Sequence, residues 1–123
     1  MTELLYQDLT KKIRQAAYDV HSYFGAGFLE KVYENALVYE LKKSGVSCIS
    51  QRKIDVYYED KIVGEYYADI LVERKIIIEL KTVADIQKIH LAQLKNYLKA
   101  TQFKLGLLIN FGSSKLQFKR VVL

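Results

Sequence analysis

The sequence lacks what several protein classes require. It has one cysteine, Cys48, and no proline or tryptophan among its 123 residues. A lone cysteine forms neither an internal disulfide nor a multi-cysteine metal site, which excludes a disulfide-rich scaffold. No apolar run approaches the ~18 residues that a membrane span needs, and the first residues contain no hydrophobic signal-peptide core. We therefore expect a cytoplasmic protein with no membrane partner.

The composition is that of an ordinary soluble domain. Hydrophobic residues make up 50% of the chain and charged residues 27%, which excludes a disordered tail. The sequence contains no linker, repeat or low-complexity tract. A chain of this length buries roughly two-thirds of its unfolded surface. Residues 1–123 are therefore expected to form a single domain with one modest core.

The charge balance is basic. Nineteen lysines and arginines against fourteen acidic residues give a net charge of +5. Such an excess favours a polyanionic partner through counterion release. On charge alone, a solvated surface that maintains solubility explains it equally well. If the partner is a nucleic acid, the candidate contacts are Lys88, Lys95, Lys99, Lys115, Lys119 and Arg120.

Three segments show helical periodicity. Apolar residues recur at helical spacing from Leu9 to Phe24 and from Leu29 to Leu41, and a glycine follows each run closely. A third helix is expected from about Ile86 to Ala100, with Asp85 as its N-cap.

The remaining segments have the pattern of strands. β-Branched and aromatic residues predict five strands, at Cys48–Tyr58, Ile62–Val72, Lys75–Leu80, about Lys104–Asn110 and Lys115–Val122. The near-continuous hydrophobicity of the third strand predicts a central position, covered on both faces. The order α-α-β-β-β-α-β-β predicts an α/β fold with helices packed on a mixed sheet.

Three charged residues interrupt the apolar strands. Asp69 lies in the second strand, and Glu79 and Lys81 lie in the third. Because strand side chains alternate, Glu79 and Lys81 share a face. A three-residue turn at 73–75 would pair Asp69 with Glu79, whereas a two-residue turn would pair it with Ile78. We favour the first register, which gathers all three charges.

Two interpretations account for this charged group. The first is an ion pair between Lys81 and either carboxylate, with the other carboxylate in solvent. The second is a divalent cation held by both carboxylates, since Mg²⁺ prefers oxygen ligands and commonly takes only one or two carboxylates. Spacing alone favours the ion pair.

The motifs around these residues resemble a known superfamily. Asp69 and the segment Glu79–Lys81 are similar to the D…(D/E)xK signature of the PD-(D/E)XK nucleases, although Ala68 stands where a proline is usual. The segment Gln93–Tyr97 resembles the QxxxY motif, and Gly27–Tyr33 resembles the GxxExxY motif of a compact branch. The resemblance extends from about residue 25 to the C-terminus and implies a restriction-endonuclease-like core.

The resemblance also implies a chemistry, namely hydrolysis of phosphodiester bonds with Mg²⁺ or Mn²⁺ as cofactor and nucleic acid, favouring DNA, as partner. Asp69, Glu79 and the backbone carbonyl of Leu80 would hold the metal. Lys81 would position the attacking water or offset developing negative charge. Gln93 would orient that water or contact a phosphate.

A glutamate of the second helix would reach the same site. Glu30 is the glutamate of the GxxExxY motif, whereas Glu34 stands eleven residues before Gly45, a spacing that resembles the archaeal-type junction resolvases. Both lie at the edge of the apolar stripe, one turn apart. Both glutamates remain candidates for the site, and we prefer Glu34 as a metal ligand. The alternative interpretation is a solvated acidic edge.

The third helix places His90 and Gln93 on a face that we expect to point toward the sheet. A hydrogen-bonded core histidine is favoured over a catalytic one for His90.

Two other functions fit the sequence. One is a catalytically inactive module that binds nucleic acid or regulates a partner, but the intact D…ExK and QxxxY residues argue against it. The other is a structural subunit whose exposed tyrosines, in Tyr57–Tyr58 and Tyr66–Tyr67, form an oligomer interface such as that of a homodimer.

Overall fold

The computed structural model describes residues 6–123. Eight elements follow one another in the predicted order: α1 Gln7–Phe24, α2 Glu30–Lys43, β1 Cys48–Tyr58, β2 Lys61–Val72, β3 Ile76–Lys81, α3 Lys88–Thr101, β4 Leu105–Asn110 and β5 Gln117–Val122. The strands form one sheet of order β1-β2-β3-β4-β5. Only β3 and β4 are parallel among the neighbouring pairs. The predicted mixed α/β fold is confirmed.

Helices cover both faces of the sheet. The apolar stripes of α1 and α2 form one core with the sheet, to which Ile13, Leu37 and Leu41 contribute fully buried side chains. Leu94 and Leu98 of α3 pack on the opposite face. The first three isoleucines of β3 are fully buried between these layers, so the predicted central strand is confirmed. In the part of the chain that the structure describes, no helix is long and apolar enough to cross a membrane.

The predicted start of α3 is wrong by two residues. The helix is capped by Gln87, whose side chain forms a reciprocal capping box with that of His90. Asp85 is not a cap, because its Oδ1 accepts a hydrogen bond from Gln117 Nε2 at 2.6 Å. Ile89, an apolar residue in the first turn of this helix, is 63% exposed. It lies five residues before Leu94 and therefore about 140° away around the helix.

The β1–β2 hairpin does not alternate uniformly. Ile70 belongs to the core beneath α1 and α2, whereas Ala68, two residues earlier, belongs to the core beneath α3. The pairing of β1 with β2 skips Gln51 and Asp69, and Gln51 has a φ of 52°. In the outer half of the hairpin, the side chains that would continue the face beneath α1 and α2 therefore point toward α3. Strict alternation along the strand would not predict this change.

Gly112 allows the chain after β4 to pass close to the chain after β3. A Cβ atom at Gly112 would lie 2.5 Å from the carbonyl carbon of Thr82 and 2.5 Å from the nitrogen of Val83. We expect Gly112→Ala to lower the free energy of unfolding by about 3 kcal/mol, because backbone atoms must shift to admit the methyl group. Denaturant unfolding measures the change. Gly64→Ala is the control, since a Cβ there meets nothing within 4 Å. Equal midpoints for the two variants would contradict the argument.

Candidate active site

Asp69 lies where β2 separates from β3. The two strands pair only from Val72↔Ile76 to Ile70↔Ile78, which confirms the register of the three-residue turn. Beyond that point the backbone N–H of Leu80 donates to Asp69 Oδ2 at 2.8 Å. The carboxylate thus satisfies a backbone donor beyond the end of the ladder, and the strands diverge there.

Gln51 connects Asp69 to helix α2. Its Nε2 donates to Glu34 Oε1 at 2.8 Å and lies 3.4 Å from Asp69 Oδ1. Its positive φ is uncommon for a residue other than glycine and coincides with the break in the pairing of β1 with β2. Sequence reasoning missed this residue, since no motif spacing points to it.

Helix α2 brings both predicted glutamates to this group. Glu34 is 2% exposed, and its Oε2 accepts a hydrogen bond from Lys31 Nζ at 2.7 Å. Glu30 is half-buried. Burial raises the pKa of Glu30, and the negative charge of Asp69 raises it further. Glu34 is therefore joined to Asp69 through the bridging amide, whereas Glu30 is coupled to it by charge.

Tyr33 fixes the loop that precedes α2. Its hydroxyl donates to the Gly25 carbonyl at 2.5 Å and accepts from the Phe28 N–H at 3.2 Å. Its ring stacks on Phe111 with a centroid distance of 4.7 Å. Gly27 has a φ of 108°, a conformation that favours glycine. The glycine and tyrosine of the GxxExxY pattern thus set the position of the helix that carries both glutamates.

Glu79 lies in a poorly solvated environment on the α3 side of β3. Burial and the charge of Asp69 raise the pKa of Glu79 to about 7, against the opposing effects of Lys81 and of a hydrogen bond that Tyr66 donates to Glu79 Oε1. The Tyr66 ring stacks on Tyr97 of α3 with a centroid distance of 3.9 Å. Glu79 therefore holds a proton more readily than an exposed glutamate.

Tyr66 corrects one expectation from the sequence. It is only 7% exposed, so its assignment to the exposed tyrosines is wrong, whereas Tyr57, Tyr58 and Tyr67 are exposed. The change of face at Asp69 explains the difference, because it turns Tyr66 inward beneath α3. Burial and the neighbouring Glu79 raise the pKa of the Tyr66 hydroxyl, which keeps it protonated as a donor.

A small cavity of about 60 Å³ separates β3 from α3. Lys81 and Glu79 both line it, as their shared strand face predicts, and Gln93 faces the same space although it is exposed overall. His90 also lines the cavity, but its Nδ1 accepts a hydrogen bond from the Gln87 N–H at 2.9 Å. That local bond is of the kind expected for a structural histidine.

The donor set suits a hard divalent cation. Carboxylates of Asp69, Glu79 and Glu34, together with the Leu80 carbonyl, are oxygen ligands of the type that Mg²⁺ and Mn²⁺ prefer. With Glu30 the group has four carboxylates, and the two lysines near them are Lys31 and Lys81. Across residues 6–123, however, no three His, Cys, Asp or Glu side chains are gathered closely enough to hold a metal ion. The residues thus fit the cation in chemistry and charge, while protein donors hold Asp69 and Glu34 in this arrangement.

The six cations predicted to contact nucleic acid lie on different surfaces. Arg120 is half-buried, and its Nη1 donates to Thr10 Oγ1 of α1 at 3.1 Å, on the face of the sheet opposite α3. The other five are exposed, three along α3 and two near the C-terminus: Lys88, Lys95, Lys99, Lys115 and Lys119.

The comparisons with known proteins agree with this geometry. The family model of the PD-(D/E)XK nuclease superfamily matches residues 7–121. The chain therefore belongs to this superfamily, and the restriction-endonuclease-like fold expected from its motifs is confirmed.

A solved structure titled "Crystal structure of SSO0001" is similar, with a TM-score of 0.58 and 18% sequence identity. The match covers 97% of this chain and 60% of that chain, so this chain spans about 60% of the length of that protein. At this identity the likeness shows the fold alone. No curated protein sequence matches this chain.

The raised pKa of Glu79 predicts a pH dependence of stability. Between its ordinary value of 4.5 and about 7, the folded protein binds more protons than the unfolded chain. Stability of the metal-free protein should therefore fall as pH rises through this window, by an amount on the order of 1–3 kcal/mol. Burial also raises the pKa of Asp69, which acts in the same direction.

Denaturant unfolding in EDTA at about pH 5 and about pH 8 measures this difference. Glu79→Gln should remove most of it, because the amide does not titrate. The control is Glu59→Gln in the exposed β1–β2 turn, which should keep the wild-type difference. If the change in unfolding free energy between the two pH values were the same for wild type and Glu79→Gln, the interpretation would be refuted.

Proposed function

We propose that the chain is a metal-dependent nuclease that hydrolyses phosphodiester bonds in DNA or RNA, with DNA the favoured substrate. The observation that carries the proposal is the geometry at the point where β2 leaves β3, where Asp69 accepts the Leu80 N–H and Glu79 and Lys81 line one cavity. The chain belongs to a nuclease superfamily whose signature these residues match.

Carboxylates and a carbonyl would hold the cofactor. When bound, Mg²⁺ or Mn²⁺ polarises a phosphoryl oxygen and lowers the pKa of a water molecule. We assign its binding to Asp69, Glu79 and the Leu80 carbonyl, with Glu34 as the ligand from α2. Glu30, which is coupled to Asp69 by charge, is the alternative contribution from that helix.

Lys81 and Gln93 would act on the substrate from the other side of the site. The Lys81 ammonium lowers the pKa of Glu79 and Asp69, so it lies within electrostatic reach of both. A fixed positive charge there stabilises the negative charge that develops on a phosphate under attack. The Gln93 amide faces the same cavity and would orient the water or contact the phosphate.

We also propose that the chain belongs to the GxxExxY branch of the superfamily. The hydrogen bonds of Tyr33 and the positive φ of Gly27 support this assignment, because they give the motif a structural role beside Glu30.

The direct test of the function is incubation of the purified protein with mixed nucleic acids in Mg²⁺, Mn²⁺ or EDTA. Cleavage in either metal and its loss in EDTA would support the proposal. Binding without cleavage in both metals would refute it and would favour a module that holds nucleic acid without cutting it.

Metal binding should stabilise the protein. At metal concentrations about 100-fold above Kd, linkage adds about 2.7 kcal/mol, which raises the melting temperature by several degrees. Asp69→Asn should abolish that rise, because it removes a charged ligand while it preserves a hydrogen-bond acceptor for Leu80. Asp60→Asn, in the exposed β1–β2 turn, should keep it. Calorimetry that shows no binding at millimolar metal, with and without nucleic acid, would contradict the proposal.

Lys81 should be required for cleavage and dispensable for folding. We expect Lys81→Met to lower the cleavage rate by ~10²–10³-fold while metal still raises the melting temperature, since the side chain stabilises transition-state charge rather than holding the ion. Lys81→Arg should keep a trace of activity, because charge survives but geometry changes. Lys12→Met, on the exposed side of α1, is the control. Lys81 forms no ion pair within residues 6–123, so the ion-pair interpretation of this charged group is wrong. A wild-type rate for Lys81→Met would refute the catalytic assignment of Lys81.

A further inference from the structure

Three neighbouring grooves around the end of α3 share lining residues. The largest, of about 810 Å³, lies between the outer half of β1 and residues 99–102. Arg52 and Lys53 also line a second groove of about 220 Å³. That groove shares Arg74 and Phe103 with a third, of about 250 Å³. We call the three together the basic channel.

The basic channel contains most of the excess charge of the chain. Its lining has six cations and two carboxylates, a net charge of +4 out of the +5 of the whole sequence. Lys53 is paired with Glu65 at 3.2 Å and with Asp55 at 3.8 Å. Within the described part of the chain, the other cations of the channel form no ion pair: Arg52, Arg74, Lys75, Lys99 and Lys104.

The candidate active site cannot itself attract a polyanion. Its four carboxylates outnumber its two lysines, so the metal-free site repels phosphate. In the metal-free protein, affinity for a nucleic acid is therefore expected to come from another surface. Strand β1 contributes to both surfaces, because Gln51 contacts Glu34 and Asp69 while Arg52, the next residue, lines the channel.

The channel also presents aromatic and apolar surface between its cations. Tyr57 is 56% exposed and Ile49 is 46% exposed, and the partly buried Phe103 lines two of the three grooves. Unpaired bases stack on such side chains while cations contact the backbone phosphates. The bases of a duplex are already stacked on one another, so a duplex would use the cations alone.

We infer that the basic channel binds a single-stranded polynucleotide and leads it to the acidic site. The inference rests on the proposed function for the fate of the strand, but binding can be measured without cleavage. Of the cations chosen from the sequence as nucleic-acid contacts, only Lys99 lines this channel.

Fluorescence anisotropy in EDTA tests the charge of the channel. A labelled mixed-sequence single strand is titrated with wild-type protein and with the double variant Arg74→Gln/Lys104→Gln. We expect about a tenfold or greater rise in Kd at low salt. The slope of log K against log salt should fall by about 1.4, as expected for two lost phosphate contacts on a single strand. The matched control, Lys11→Gln/Lys12→Gln on the exposed side of α1, removes the same charge and should change Kd by no more than about twofold.

The aromatic contribution is tested on the β1–β2 hairpin. Tyr57→Ala should raise the Kd for the single strand by about tenfold and leave the Kd for a duplex of equal length unchanged. Tyr58→Ala is the control, since Tyr58 is 69% exposed but lies outside the channel lining. An equal effect of Tyr57→Ala on both substrates would overturn the single-strand assignment.

Equal losses of affinity for the two double variants would overturn the channel itself, because they would show that only net charge matters.

Asp69→Asn separates this inference from the proposed function. It should bind the single strand in EDTA at least as tightly as wild type and fail to cut it in Mg²⁺. Binding through the channel by a wild-type protein that cuts nothing would refute the nuclease and leave the channel in place.

Discussion

The hydrogen bond from the Leu80 N–H to Asp69 is the interaction on which the rest of the site depends. A backbone donor beyond the last β2–β3 pair is satisfied by a side chain, so the two strands diverge without leaving that group unpaired. The divergence lets a glutamate of α2 approach from one layer of the fold while Glu79 and Lys81 face the other. A residue unable to accept this bond would leave an unsatisfied donor at the point where the sheet opens.

The carboxylates of the site repel one another, and the surrounding residues compensate this repulsion only in part. Burial raises the pKa of Glu30, Asp69 and Glu79, and the nearest carboxylates raise each of these values further. Lys81 and the hydroxyl of Tyr66 offset only part of this effect. A structure selected for stability alone would place apolar side chains beside the fully buried isoleucines of β3. Carboxylates with raised pKa values in a partly closed site are typical of functional positions.

Local patterns predicted most of the fold and part of the site. The favoured three-residue turn at 73–75 gave the observed β2–β3 register, and the shared strand face placed Glu79 and Lys81 on one cavity. Asp85, the expected N-cap of α3, bonds instead to Gln117, 32 residues away. The bridge from Gln51 to Glu34 likewise spans 17 residues. A helical or strand period reports only neighbours within about four residues, so such contacts lie outside what periodicity can show.

The distribution of charge, like these long-range contacts, could not be predicted from the sequence. It distinguishes the basic channel from the acidic site. A net charge of +5 is only a weak indication when it is spread over 123 residues. The fold gathers +4 of it in the basic channel and places a separate cluster dominated by carboxylates around Asp69. Gln51 contacts the cluster and Arg52, the next residue, lines the channel, so one strand contributes to both surfaces. Net charge alone does not show this separation, because it sums the two surfaces.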